Sequence, residues 1–278
     1  MKTSKLGAES VLTEKGGIAT VTFPRLADDQ VLNHAVSTRV GGVSRGNYLA
    51  LNVSFKVGDE SVCVDENREL LAKSTGMNLR NAVWVNQVHG DKVLKLDDSN
   101  RPKDGGSLGD ADGLITQEKG VPILIMVADC LPVLFYDPVH KAAGLAHAGW
   151  RGTVSHVAAK TLLAMAEAFD TKPEETRVVL GPCIGACCYE VGEDVHKEFT
   201  QVFPWGGEVL QISSTQHWKL DLAEANARQL LEVGVKDENL IRSGLCTIQN
   251  IEHFYSHRAE ASVEKPTGRV GAVLMLKD

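Results

Sequence analysis

Between Gly113 and Ala148 the chain reads GLITQEKGVPILIMVADCLPVLFYDPVHKAAGLAHA, a set of apolar runs parted by connections of a few residues. A parallel pair needs a crossover of roughly a dozen residues or more, so connections this short argue for antiparallel or mixed pairing over a doubly wound parallel sheet. Read as strands, the runs are Gly113–Thr116, Ile123–Val127, Val133–Tyr136 and Ala142–Ala146. Apolar or β-branched stretches bounded by turn residues add Ile18–Phe23, Val83–Val88, Val93–Leu96, Arg177–Leu180 and Val270–Leu276. Helical periodicity is clearest after Thr153, an apt N-cap, with Val154, Val157, Ala158, Leu162, Met165, Ala166 and Phe169 on one face. A second helix should start at Asp221, where Glu224 completes a capping box, and weaker patterns cover Ser61–Ser74 and Gly192–Val202. The glycine- and aspartate-rich segment Asp97–Gly113 reads as an irregular, mobile surface loop. The expected fold is α+β, a single domain over residues 1–278 with a mixed, largely antiparallel β-sheet core flanked by helices.

Composition narrows the function classes. With 43% hydrophobic and 23% charged residues the chain is an ordinary globular protein, and no run approaches the roughly 18 apolar residues of a membrane span. Its first residues, MKTSKLGAESVLTEKGG, lack the apolar centre of a secretory signal, so a cytoplasmic, reducing location is expected. There the six cysteines read as packing residues, metal ligands or nucleophiles rather than disulfides. A net charge of −7 argues against nucleic acid and anionic membranes as partners, and no obligate protein partner is evident. An anionic substrate must then be held by a few local arginines, which directs attention to Arg39, Arg151, Arg258 and Arg269, each near glycine or histidine.

Three soft-metal donors follow predicted strands: His89 after VWVNQV, Cys130 after ILIMVAD and His147 after AAGLA. Side chains at strand ends can converge at one mouth of a sheet. Two imidazoles and a thiolate suit a zinc ion with water in the fourth position, the pattern of a catalytic site. Their spacings match no local metal motif, and a buried thiol beside two hydrogen-bonded histidines is the alternative. Next to His147, Gly149-Trp150-Arg151-Gly152-Thr153 leads into the best helix, so its N–H groups, Arg151 and Arg39 form a candidate phosphate cradle. Surface pairing of both arginines, with the glycines serving only as turns, is the other possibility.

STRVGGVSRGNYLALNVS, VNQVHG, ADCLPVLFYDP, GLAHAGWRGT, GPCIGACCYEVG and FYSHRAEASVEKPTGR together resemble the YfiH-type laccase-domain family, in family order from about Thr38 to Gly268. The resemblance implies phosphorolysis of adenosine, inosine and 5′-methylthioadenosine, plus adenosine deamination, at a zinc site made by His89, Cys130 and His147. It also draws in Arg258 and His257, while Cys183 and Ala186 depart from the small residues and proline expected in GPCIGACCYEVG. Gln87, two residues before His89, shares its side of an extended strand and is a candidate donor to the substrate or the zinc water. Asp129 can join the site only if the strand breaks beside it; otherwise it is a candidate orienter of a histidine ligand. Nine histidines without any His-x-His pair cannot supply a multicopper cluster, although one copper ion is compatible with the same two imidazoles and thiolate. Two rivals stay open: a metal-free hydrolase with Cys130 as nucleophile, acting on an amide or peptidoglycan precursor, and a non-catalytic nucleotide-binding module.

Overall fold

A computed structural model describes residues 1–28, 30–261 and 265–277, so Ser262–Glu264 of the FYSHRAEASVEKPTGR stretch lie outside the described residues. Two sheets make the body. The larger has eight strands, in the order Lys2–Lys5, Val11–Lys15, Ile18–Thr22, Leu32–Ser37, Val270–Leu276, Ile123–Val127, Val83–Asn86 and Gly106–Asp110. The second has six, in the order Leu240–Arg242, Arg177–Leu180, Leu131–Asp137, Ala142–Ala148, Gly113–Thr116 and Val93–Leu96. Pairing is antiparallel except where Val83–Asn86 meets its two neighbours and at both edges of the six-stranded sheet. The mixed, largely antiparallel core of an α+β fold is therefore present.

The facing surfaces of the two sheets share one apolar core, in which Val21, Val36, Ile123 and Ile125 of the larger meet Leu114, Leu134, Tyr136 and Leu145 of the smaller. The outer face of the six-stranded sheet is covered by helices Val157–Phe169 and Leu222–Glu232, that of the larger by Ser61–Thr75. The layering is helix, sheet, sheet, helices. Asp221 caps its helix as expected, its side chain accepting the Glu224 N–H. Among the described residues no helix is long and apolar enough to cross a membrane.

Two local expectations are corrected. The segment Asp97–Gly113 is not wholly irregular, because Gly106–Asp110 pairs in parallel with Val83–Asn86. The helix expected from Thr153 is instead two: a five-residue helix Trp150–Val154, then Val157–Phe169 behind His156, whose φ of 62° breaks the spiral. Thr153 is no N-cap but a tie to the helix Leu222–Glu232, accepting from Asn226 through Oγ1 and from Gln229 through its carbonyl.

Candidate metal and substrate site

The chain crosses from the larger sheet to the smaller between Val83–Asn86 and Val93–Leu96, between Gly106–Asp110 and Gly113–Thr116, and between Ile123–Val127 and Leu131–Asp137. These crossings carry His89, Asp112 and Cys130 in turn, and His147 joins them from the end of Ala142–Ala148, opposite Pro132. Donors distant in sequence thus gather at one rim of the sheet sandwich. The crossings demand sharp backbone: His89 and Asp129 both adopt left-handed φ, at 60° and 84°.

The ligand atoms of His89, Cys130 and His147 all lie within 4.8 Å of one another. His89 Nε2 is 4.0 Å from Cys130 Sγ, less than the sum of a Zn–N and a Zn–S bond, about 4.3 Å. One ion can therefore reach both. The two imidazoles stand edge to face with centroids 4.8 Å apart. His147, buried, gives Nδ1 to Asp112 Oδ1 at 2.7 Å, which leaves Nε2 for a metal or the thiol. The same carboxylate accepts the backbone N–H groups of Val88, His89 and Gly90 at 3.1, 3.1 and 2.7 Å. Asp112 thereby fixes one ligand's tautomer and the loop of another.

Electrostatics follow from this packing. Burial would push the Cys130 thiol up, but the charge and hydrogen bond of His147, with help from His89, bring it down to about 6. Burial likewise disfavours a charged His147, yet Cys130 and Asp112 raise it to about 9. Both shifts favour the thiolate and imidazolium form of the pair. Asp112 is depressed because its bonds to His147, Gly90 and Val88 outweigh its burial. Two imidazoles and a ready thiolate are a donor set that fits zinc.

A cavity of about 290 Å³ opens above the donors, lined by Gln87, His257, Lys56 and Arg269 as well as the three ligands. Arg269 is one of the four arginines that the sequence singles out for an anion, whereas Lys56 carries no signal there. Gln87 is more constrained than expected. Its amide gives Nε2–H to the Met126 carbonyl and takes the Met126 N–H, at 2.7 and 2.9 Å, leaving one N–H for a ligand.

Several expected site residues stand elsewhere. Asp129 orients no histidine: its carboxylate accepts from Thr247 Oγ1, Ser256 Oγ and the Arg258 N–H, pinning the 243–261 segment to the crossing. Arg39 is held by Glu260 and by the carbonyls of Ile251 and Leu49, with its guanidinium over Tyr255. Arg151 lies over the Trp150 ring at 4.2 Å, and Arg258 reaches the Glu190 carbonyl at 2.6 Å. None of the three lines the cavity. Gly149 and Gly152 are tightly packed positions. A Cβ on Gly149 would sit 3.0 Å from Cys130 Sγ and 3.2 Å from His89 Cδ2, and one on Gly152 would sit 3.1 Å from the Gly90 carbonyl. Asp112 was missed, although it directly precedes a strand that the sequence marks, as the chosen donors directly follow theirs.

Many known proteins are similar to this chain in sequence and fold. The chain is 32% identical over 247 residues to the purine nucleoside phosphorylase YlmD of Bacillus subtilis, covering 87% of each. It is 37% identical over 260 residues to a purine nucleoside phosphorylase of Deinococcus radiodurans, covering 94% of each. The crystal structure of hypothetical protein YfiH from Bacillus licheniformis superposes with a TM-score of 0.88 at 28% identity, over 96% of this chain and 99% of that one. The family described as multi-copper polyphenol oxidoreductase laccase matches residues 33–277. With a match of that extent on the same sheet sandwich, the chain belongs to this laccase-like family.

Proposed function

We propose that the chain is a zinc-dependent purine nucleoside phosphorylase, cleaving adenosine, inosine and 5′-methylthioadenosine with inorganic phosphate, and that it also deaminates adenosine. The observation that carries this reading is the convergence of His89, Cys130 and His147 on the floor of a cavity that also presents Arg269 and Lys56. The names of the Bacillus and Deinococcus relatives support the phosphorylase part.

In phosphorolysis a phosphate oxygen bonds to C1′ of the ribose while the bond from C1′ to the base breaks and its electron pair leaves with the purine. Holding the anion against C1′ is most of the catalytic task. Arg269, fixed by the Thr267 and Gly268 carbonyls at 2.7 and 2.9 Å, and Lys56, anchored on Asn86 at 2.6 Å, are the cationic residues in the cavity wall. They take the role that sequence proximity had suggested for Arg39 and Arg151. The remaining Gln87 N–H and His257, both lining the cavity, can bond the purine, and His257 can give the departing base its proton. A bound zinc ion supplies Lewis acidity at the cavity floor. Asp112 and Gly149 keep the three ligand atoms close and correctly turned.

The test is incubation of the zinc-loaded protein with adenosine, with and without phosphate. Adenine and ribose 1-phosphate appearing only with phosphate support phosphorolysis, and inosine formation supports deamination. Neither product with zinc bound refutes the proposal and leaves the nucleotide-binding module.

One observation favours a second reading. Cys130, His147 and Asp112 form a thiolate, imidazole and carboxylate series of the kind that activates a nucleophilic cysteine. A metal-free Cys130 hydrolase acting on an amide would use it directly. Metal analysis of protein purified without added zinc separates the two: one zinc per chain, lost in Cys130→Ala, favours the metal.

A further inference from the structure

A second cluster of sulfur ligands lies outside the site already described. The sulfur atoms of Cys187, Cys188 and Cys246 all fall within 4.8 Å of one another, and Cys187 Sγ is 3.2 Å from Cys188 Sγ. The cluster is built by two loops docked in register. Cys183 pairs with Cys246 as an isolated parallel bridge, with Cys183 N–H on the Leu245 carbonyl and Thr247 N–H on that of Cys183, at 3.1 and 3.0 Å. The chain then turns tightly, the Cys188 and Tyr189 N–H groups both reaching the Gly185 carbonyl at 2.9 Å. That turn directs two neighbouring thiols the same way. A Cβ on Gly185 would lie 3.2 Å from Cys246 Cβ and 3.4 Å from Cys187 Sγ, so the glycine lets the two loops approach closely.

Around Cys246 the backbone is arranged for a negative sulfur. Gly185 N–H points at Sγ from 3.3 Å, and the N–H groups of Gln249 and Ile248 also donate to it. Lys219 adds a positive charge beside the cluster, its ammonium on the Cys187 carbonyl at 3.1 Å. Cys187 and Cys246 open onto a cavity of about 310 Å³, which gives an ion a way in.

We propose that Cys187, Cys188 and Cys246 form a second metal site, specific for a soft monovalent ion such as copper(I) and separate from the His89 site. All three donors are sulfur, the ligand type that selects soft metals. Among the described residues the group contains no fourth histidine, cysteine or carboxylate ligand. Zinc in a structural site takes four protein ligands, whereas copper(I) is satisfied by three thiolates in a plane. Binding displaces whatever protons the three sulfurs carry, forms three Cu–S bonds and leaves the oxidation state of both partners unchanged.

The experiment uses the full chain with its His89 site filled by zinc, reduced and kept free of oxygen, and titrated with copper(I) against bicinchoninate. One tightly held equivalent is expected, with thiolate-to-copper absorption in the near ultraviolet and zinc retained. Cys187→Ser, at an exposed position that leaves the fold alone, should weaken binding by more than the roughly 10–100-fold cost of losing an outer partner of a metal site. Cys246→Ser should do the same, and Cys130→Ala should leave this equivalent in place. The proposal is overturned if copper(I) uptake is the same in Cys187→Ser and Cys246→Ser as in the parent. It is equally overturned if copper(I) expels the zinc and uptake vanishes in Cys130→Ala.

Discussion

Replacing Asp112 with asparagine removes one charge and one acceptor from a group that is fully buried and accepts from four donors. The two oxygens divide the work: Oδ1 takes His147 Nδ1–H and the His89 N–H, and Oδ2 takes the Val88 and Gly90 N–H groups. An amide can be placed two ways, and each fails differently. With the NH₂ in the Oδ2 position, the Val88 and Gly90 N–H groups lose their acceptor. Val88 is exposed and water covers part of that loss, so about 1 kcal/mol for each is apt, roughly 2 kcal/mol of folding stability. With the NH₂ in the Oδ1 position, the His89 N–H loses its acceptor and His147 must accept through Nδ1, which puts its proton on Nε2 and disables the metal ligand. Loss of such an orienting partner costs roughly 10–100-fold in metal affinity, about 1.4–2.7 kcal/mol.

Asp112→Asn should therefore weaken zinc by that factor, lower metal-free stability by up to about 2 kcal/mol, or share the loss between them. Zinc affinity is read by competition with a chromophoric chelator, and stability by urea unfolding in chelator. The pH dependence has a definite sign. Asp112 is depressed in the folded state, so its contribution is complete above the unfolded value of about 3.9 and fades as pH falls through the folded value. The part of the parent–variant gap that comes from Asp112's own ionisation should thus persist down to about pH 5 and close below about pH 4. The part that acts through His147, raised to about 9 by Cys130 and Asp112, is complete below about pH 6.5 and shrinks as pH rises toward 9. A variant with unchanged zinc affinity and unchanged unfolding midpoint would refute the orienting role.

Gly149→Ala tests ligand spacing without backbone strain, because φ at this position is −76°. The added methyl meets Sγ and His89, so zinc should bind about tenfold more weakly or worse while metal-free stability falls by less than about 1 kcal/mol; equal losses in both would show a packing effect only. In metal-free protein, alkylation of Cys130 by iodoacetamide, followed by peptide mass spectrometry, should rise with a midpoint near pH 6 and be suppressed by zinc. A midpoint near 8.5, the ordinary thiol value, would mean that His147 does not hold a thiolate there. Arg269→Gln should raise the KM for phosphate about tenfold, as befits loss of a charge-assisted bond, and spare adenosine deamination. Arg151→Ala, at a side chain stacked on Trp150 outside the cavity, should leave both activities within about twofold; a selective loss of phosphorolysis would return Arg151 to the site.

What could be read in the sequence and what could not divides along a physical line. Strands buried on both faces carry unbroken apolar runs, so Gly113–Thr116, Ile123–Val127, Arg177–Leu180 and Val270–Leu276 are found with the bounds that the sequence suggests. Edge strands lack that signal: Lys2–Lys5 is exposed along its length, and Gly106–Asp110 is drawn from residues that otherwise mark loops. The three metal donors were legible because a strand's end is a local property, and the site is where strands end. Asp112 satisfies the same criterion from the other side of a strand but is an acid in a glycine-rich stretch, where solvation is the ordinary fate. The arginines show the limit. Nearness to glycine in sequence carries no information on direction, and Arg39, Arg151 and Arg258 each found a nearer partner in a carboxylate, a ring or a carbonyl. Arg269 reaches the cavity because the terminal strand Val270–Leu276 lies beside Ile123–Val127, whose end leads into Cys130. That adjacency is a pairing between residues more than a hundred positions apart, and it is decided by which sheet face each strand buries, not by any pattern within either segment.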